Sequence, residues 1–515
     1  MSRLEHNTHL VVVIVFLLIV AVAAGLRLYY IQSRSLWFDE AMAVNLSKGS
    51  IQEVIENTRN WNSSPIIPPT ILWLVEKVSG RPLWVRFPAF AASLSAVVLV
   101  LVFLYKRYGP KSALIGGILI ALSSSQIQLS QQVREYSLSV LMAVIIAYGL
   151  DQWARKSRGG HIILIVAVFF APLIQYGLVF VSIAAILVMI TIFVASDEPH
   201  HLNLKEIVCV CSSLIIGSII SYFITLRFQW TLGGHVEFYL QDAYYNSEAT
   251  NIVKFIYKNS ISLMYFVFSG GLLIGIFLYS LVIYISYLKF DSSLNPIVLL
   301  AIYAVAISIV AAIFRFYPYS GIRQCIYLAP ILIMTAGIVI TDVIERISLS
   351  RRALLALFTL FAFLSVDNLR QNNPYWEQED IRLVLENLDK YKSQDDLVYV
   401  YWGATPALKY YRDEIPLKLI FPFNEKEFPV GLIRDETKDV VRNYIMGRKY
   451  KNDTKALFDN DLRPIMEKNP KRLWLIFSHS NYSHEDKIIN FLPQNLIYNS
   501  VVKGRGAGLY VIDFK

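Results

Sequence analysis

The sequence predicts a polytopic α-helical membrane protein with about 11 transmembrane helices, followed by a small C-terminal extracytoplasmic α/β domain. Three observations carry this expectation. Of 515 residues, 55% are hydrophobic and the mean hydropathy is +0.47, an apolar balance that argues against a chain of soluble domains. Apolar runs of roughly 17 to 25 residues, the length that crosses about 30 Å of hydrocarbon as helix, recur from Leu10 to Val366. Beyond Asp367 they stop and charged residues rise sharply, which divides the chain into a membrane part, 1–369, and a soluble part, 370–515.

In order, the spans fall at approximately 10–27, 86–105, 112–126, 134–151, 161–175, 178–195, 206–227, 261–288, 294–313, 322–341 and 352–366. The first lacks a small-residue cleavage site and is followed by many more, so it reads as a retained helix rather than a signal peptide. The run His161 to Val194 is too long for one crossing and divides at Gln175, Tyr176 and Gly177, where a tight helical hairpin fits. Alternate loops carry the basic residues: Lys106, Arg107 and Lys111; Arg155, Lys156 and Arg158; Lys205; Lys289; and Arg346, Arg351 and Arg352. The positive-inside rule assigns these loops to the cytoplasm.

An odd number of spans then puts the other loops and the C-terminal part outside. This outer set comprises Tyr29 to Trp84 with its interfacial helices, the turn Ser124 to Val133, the hairpin at Tyr176, the loop Phe228 to Ser260, the turn Phe314 to Gly321, and residues 370–515. It is rich in aromatic, acidic and amide residues, so groups able to do chemistry gather on one membrane face. The middles of the spans hold almost no ionisable residues, which argues against an ion-coupled transporter. In the C-terminal part, Leu397–Tyr401, Leu473–Phe477 and Leu509–Phe514 read as strands, Asp380–Leu388 and Pro406–Tyr411 as helices, and Gly504, Gly506 and Gly508 as a turn before the last strand.

The formal charge of +9 is spread over short loops, not gathered in a stripe, so no nucleic-acid partner is expected. Cys209, Cys211 and Cys325 lie in or beside apolar runs without metal-ligand or disulfide spacing and read as packing. His235, with Glu237 and Asp242 nearby, is either a metal site or, as lone loop histidines usually are, solvated. His479 and His484 carry a weaker signal, and His200 and His201 fall on the cytoplasmic side. Trp230, Tyr239, Tyr244 and Tyr245 fit a lid over substrate or simple interfacial docking.

Several segments carry the chemistry. Directly after the first span, Ser35-Leu36-Trp37-Phe38-Asp39-Glu40-Ala41 puts two adjacent carboxylates at the membrane surface. By themselves they fit the first turn of an interfacial helix, where acids favour the positive dipole end, or a base for a hydroxyl proton. The segment Leu36 to Ala41 resembles the first-loop acidic signature of the GT-C superfamily of membrane glycosyltransferases, in the manner of protein O-mannosyltransferases and lipid A aminoarabinose transferases. Ser63-Ser64-Pro65-Ile66, Pro68-Pro69 and Leu72-Trp73-Leu74 resemble the Pro-rich approach to the next helices, though Ile66 to Pro69 departs from the common His-Pro-Pro form. Val85-Arg86-Phe87-Pro88-Ala89 is similar to Arg-Leu-Pro-Ser. Ser130 to Leu138 resembles Ser-Gln-Glu-Ala-Arg-x-Tyr-Ala-Leu, with Gln132 replacing the commoner acid. Phe316 to Gln324 resembles a late outer loop in which an Arg precedes a helix. Asp380-Ile381-Arg382 and Val398 to Tyr411 are similar to the C-terminal domain of some bacterial members.

The resemblance implies the GT-C fold and an inverting transfer of sugar from a polyprenyl-phosphate donor to a hydroxyl of an extracytoplasmic acceptor, whether glycan, lipid or protein. It implies Asp39 as general base, with Glu40 orienting Asp39 or the acceptor, and Arg134, Arg323 and Arg315 as candidates to bind donor phosphate. Snorkelling toward lipid headgroups is the other reading of Arg315. Arg86 is expected to brace the acidic pair, either as part of the site or as a structural ion pair. Tyr136, Tyr176, Tyr319 and Gln132 are candidate substrate contacts, and the interfacial aromatic belt is the alternative for Tyr136 and Tyr176. No cofactor is required on this reading, a divalent cation stays open, and the partners are donor, acceptor and membrane lipids. The expected location is the plasma (inner) membrane with the site on its extracytoplasmic side. Two other classes remain at this stage: a lipid-linked saccharide flippase or polymerase, and a non-catalytic membrane assembly factor.

Overall fold

The computed structural model describes residues 3–157, 159–195, 204–229, 240–288, 295–347, 351–371, 379–412, 444–447, 453–479, 482–493 and 496–514. The chain forms two compact units. One comprises Met1–Ile31, Gly49–Ser79 and Leu83–Tyr375, and the other Gln32–Lys48, Gly80–Pro82 and Trp376–Lys515.

The first unit is helical and built for a bilayer. Among the described residues seven helices are long and apolar enough to cross a membrane, or eight when a bent pair counts as one span, and Ile67–Glu76 and Gly160–Ile174 are shorter apolar helices. The protein is an integral, multi-pass membrane protein. Pro82–Leu122 is really two helices joined at Gly109, whose φ of 85° is open to glycine without penalty. Its halves pack on each other, Gly116 against Leu104 and Gly117 against Leu101, as the separate spans 86–105 and 112–126 require. The predicted hairpin also forms: Gly160–Ile174 ends at Gln175 and Leu178–Ala195 begins the return.

The predicted single span 261–288 is corrected by the structure. Ile252–Phe268 and Gly271–Leu288 meet at a bend of 109°, because Ser269 adopts a left-handed φ of 60° and Gly270 lies so close to the Asn368 side chain that a Cβ would collide with it. Nothing in the hydropathy pattern marks that break. The span near 206–227 begins at Leu204 and widens into a π turn at Tyr222–Leu226.

Polar side chains collect at the two ends of this unit. At one end Arg27, fully buried, donates to Ile120 O and Ala121 O and to Ser93 Oγ, satisfying carbonyls orphaned at a helix C-terminus. There too Ser123 Oγ donates to Val267 O, Arg59 Nε to Ile224 O, and Gln229 Nε2 to Thr58 O and Ser64 O. Of these, Thr58, Arg59, Ser64 and Gln229 lie in predicted outer loops, and the rest at or near the ends of predicted spans. At the other end Asp151 binds Arg107 and Arg155 and Lys111 reaches Glu345, which brings the predicted basic loops at 106–111 and 155–158 together with the end of Ala329–Ile347. Arg158 and Lys289 lie outside the described residues.

In the second unit a five-stranded sheet has the order β2-β1-β3-β5-β4. β1 (Leu397–Val400) pairs in parallel with β2 (Tyr444–Met446) and β3 (Arg472–Ser478), while β5 (Ala507–Asp513) is antiparallel to β3 and to β4 (Ile497–Gly504). The three predicted strands are the buried ones. β2 has three residues, and β4 is an edge strand with a largely exposed face, so neither leaves an apolar run to read. Helices Ile381–Tyr391 and Thr405–Tyr411 match the two expected, and Gly506, at φ 62°, makes the predicted turn.

Close helix packing gives a test. A Cβ on Gly217 would run into the backbone carbonyl of Phe169, whereas one on Gly275 would meet nothing within 4 Å. Gly217→Leu is expected to destabilise the bundle by about 1–3 kcal/mol, seen as a lower thermal midpoint in detergent, and Gly275→Leu to leave the midpoint unchanged.

Candidate active site

In the helical unit the site is built around Tyr136, the first residue of the helix Tyr136–Ala154. The turn before it is pinned by Gln131, whose Nε2 donates to Leu26 O, Arg27 O and Tyr29 O at 3.3, 3.1 and 2.7 Å. These are carbonyls that the end of the first helix cannot satisfy by itself. With the turn fixed, Arg134 lies with its guanidinium carbon 5.8 Å from the Tyr136 ring centre. Arg323, nearly two hundred residues later in sequence, lies 5.7 Å from the same centre. Both guanidinium groups therefore lie within cation–π range of one ring.

Glu135, almost buried, places Oε2 3.4 Å from Arg134 Nε. Arg323 opens the turn Arg323–Leu328 that runs into the deeply buried helix Ala329–Ile347. Gln324 O in that turn accepts from Gln175 Nε2 at 3.1 Å, which ties in the hairpin. Gln132 Oε1 and Gln175 Oε1 are buried acceptors without a hydrogen-bond partner among the described residues, polar groups of the kind a substrate hydroxyl satisfies.

The other candidates sit elsewhere in this unit or in its wall. Tyr176 gives its hydroxyl to Gln229 Oε1 at 2.7 Å and lies 3.1 Å from Thr225 Oγ1. Burial pushes its phenol upward, so it stays a protonated donor. Tyr319 is fully buried, its hydroxyl 2.9 Å from Ser260 Oγ, and burial pushes that phenol to about 12. Arg86 is also fully buried and donates from Nη1 to Ile31 O at 2.7 Å. Arg315 is exposed, at a left-handed φ of 60°, with its guanidinium over Tyr244 and donating to Tyr245 O.

The carboxylate pair belongs to the second unit. Asp39 and Glu40 occupy the first turn of the helix Phe38–Leu46, a position its dipole favours. Asp39 is half-buried and Glu40 fully buried. Trp37 provides no side-chain cap there. Instead, Phe38 N donates to Glu379 Oε2 at 2.9 Å and Leu36 N to the Tyr411 hydroxyl at 2.8 Å. Glu379 Oε2 also accepts from Ser478 Oγ, and Oε1 lies 2.7 Å from His479 Nδ1. His479 in turn stacks on Phe38, ring centres 4.4 Å apart at 17°. At the other end of the helix Asn45 Nδ2 donates to Pro406 O. The residues that set the pitch of the Asp39 helix thus come from sequence more than three hundred positions away.

Sequence reasoning did not single out Arg27, Glu135 or Glu379. Glu135 lay inside the motif with a charged neighbour as its signal, but no spacing points to Glu379. Among the described residues no group of three or more His, Cys, Asp and Glu could hold a metal. Trp230, His235, Glu237, Tyr239, His200 and His201 lie outside the described residues. Asp242 is exposed, 4.0 Å from Lys258.

No family model matches the chain, and no curated protein matches it by sequence. Solved structures do. The crystal structure of ArnT from Cupriavidus metallidurans bound to undecaprenyl phosphate superposes with a TM-score of 0.55 at 12% identity, covering 96% of this chain and 97% of that one. The apo structure of the same protein gives 0.52 at 11%, with the same coverage. This chain has the ArnT fold. The GT-C resemblance read from the motifs thus holds at the level of the fold, soluble unit included.

The Glu379 contact is testable by itself. Glu379→Ala removes the buried acceptor of the Phe38 amide, at a cost of about 1–3 kcal/mol. Amide hydrogen exchange across residues 36–41 is expected to quicken by roughly five- to hundredfold, with protection in β3 and β5 retained.

Proposed function

We propose that this protein is an inverting GT-C glycosyltransferase that moves one sugar from a polyprenyl-phosphate donor to a hydroxyl on an extracytoplasmic acceptor. The observation that carries the reading is the pair Arg134 and Arg323 on Tyr136, at the motif end of a fold whose solved relative is bound to undecaprenyl phosphate. A phosphate monoester is the anion such a pair fits, since planar guanidinium groups can each offer two parallel donors.

In this mechanism Asp39 takes the proton from the acceptor hydroxyl as its oxygen attacks the anomeric carbon. The bond from that carbon to the phosphate oxygen breaks on the opposite face, which inverts the centre. Polyprenyl phosphate leaves as a stable anion and needs no acid. Arg134 and Arg323 stabilise the charge gathering on it, the usual largest contribution in such transfers. Glu40, held by burial, orients Asp39 or the acceptor. Gln132 and Gln175 supply acceptors for sugar hydroxyls. Arg315 is assigned to the surface, and Tyr176 and Tyr319 to the walls. The acceptor works from the extracytoplasmic side of the plasma membrane, where nucleotide sugars do not reach, so a lipid carries the donor.

The test compares purified wild type with Asp39→Asn for transfer of labelled sugar from a panel of short-chain polyprenyl-phosphate sugars to membrane extract. Wild type is expected to label product with one donor, and the variant to do so about 10²–10⁴-fold more slowly while still binding polyprenyl phosphate. Equal rates would remove Asp39 as base. Absence of transfer with every donor by a folded, lipid-binding wild type would favour a flippase or assembly role.

A further inference from the structure

At the end of the helical unit opposite Tyr136, a cleft of about 490 Å³ opens between Pro82–Leu122, Tyr136–Ala154 and Gly160–Ile174. Tyr136 and Asp151 mark opposite ends of one helix, roughly 22 Å apart at 1.5 Å per residue. The cleft therefore lies a bilayer leaflet or more from the candidate active site. Its walls are apolar, with Leu99, Val102 and Tyr148 all more than a third exposed on the surface that faces lipid. Its head is cationic, lined by Lys106, Arg107 and Arg155.

The head is built rather than incidental. Asp151, with no exposed side chain, receives Arg107 Nε at 3.1 Å and Arg155 Nε at 2.9 Å. Tyr108 bridges the same carboxylate to Asn295. Both arginines use Nε for this contact, line the cleft and keep side chains about a third exposed. Three cations against one carboxylate leave two net positive charges above an apolar groove.

We propose that this cleft binds an anionic phospholipid, its phosphate on Lys106, Arg107 and Arg155 and one acyl chain along Leu99, Val102 and Tyr148. Charge complementarity selects the ligand. A soluble anion would have no use for the apolar walls, and an uncharged tail no use for three cations, each worth about 1 kcal/mol near an anionic lipid surface. The site is separate from the proposed transferase chemistry and does not depend on it. It sits at the end that the Lys and Arg pattern assigns to the cytoplasm, where it would fix the depth and tilt of three helices whose far ends carry Arg134 and Tyr136.

Native mass spectrometry of the full-length protein, incubated with phosphatidylglycerol, phosphatidylethanolamine or inorganic phosphate, tests this. Wild type is expected to retain phosphatidylglycerol over phosphatidylethanolamine by about tenfold or more, and excess phosphate is expected not to displace it. Lys106→Gln with Arg107→Gln, Asp151→Asn and Arg155→Gln, which removes the cations without stranding the buried carboxylate, should abolish the preference. Val102→Trp fills the groove without touching a charge and should lower phosphatidylglycerol retention on its own, so the outcome stands if the fourfold variant fails to fold. Equal retention of the two lipids by wild type, displacement by inorganic phosphate, or retention unchanged in Val102→Trp would each overturn the proposal.

Discussion

Hydrocarbon offers no partner to a polar group, and that one constraint organises the helical unit. Every ionisable or strongly polar side chain has to sit at an end of the bundle or be satisfied inside it. Arg27 is the clearest case. Fully buried near the end of the first helix, it is tolerated because Ile120 O, Ala121 O and Ser93 Oγ need donors. The same arginine therefore joins the end of the first helix, the end of Pro82–Leu122 and Ser93 within it. Gln131 does the equivalent for Leu26, Arg27 and Tyr29, and Arg134 and Tyr136 follow in the turn that it fixes. The placement of Arg134 thus follows from satisfying orphaned backbone.

The second unit supports its acidic helix by a different device. The Asp39 helix is held by specific contacts: a buried carboxylate on the Phe38 amide, a tyrosine hydroxyl on the Leu36 amide, and a histidine stacked on Phe38. Glu379 meets three partners at once, Phe38 N, Ser478 and His479, which makes it a positioning residue for the turn that carries Asp39 and Glu40. Under the proposed mechanism this contact would let the second unit set the position of Asp39.

What could be read from the sequence follows from what repeats along it. Hydropathy located the apolar helices, the Lys and Arg pattern grouped Arg107, Lys111 and Arg155 at one end, and Gln175-Tyr176-Gly177 marked a hairpin, because each of these is a local pattern in the sequence. The break at Ser269 had a local signal in Ser269-Gly270-Gly271, which the length of the surrounding apolar run masked, and in the fold Gly270 packs against Asn368. β4 was hidden for the opposite reason: an edge strand with polar, exposed faces carries no period-2 apolar signal. Arg134 and Arg323 could be named from motif order, but their meeting on one ring could not. Glu379 had no signal because a single acid near a chain of polar residues looks like any other, and its function lies wholly in what folds against it.

The central claim is that the guanidinium pair on Tyr136 holds a lipid phosphate. The most direct measurement is the affinity of the purified protein for undecaprenyl phosphate, by calorimetry in detergent, in wild type and in Arg134→Gln with Arg323→Gln. The account predicts at least a hundredfold weaker binding in the double variant, two charge-assisted contacts at about 1.5–3 kcal/mol each, with undecaprenol binding unchanged. Equal affinity for undecaprenyl phosphate in both proteins would contradict it.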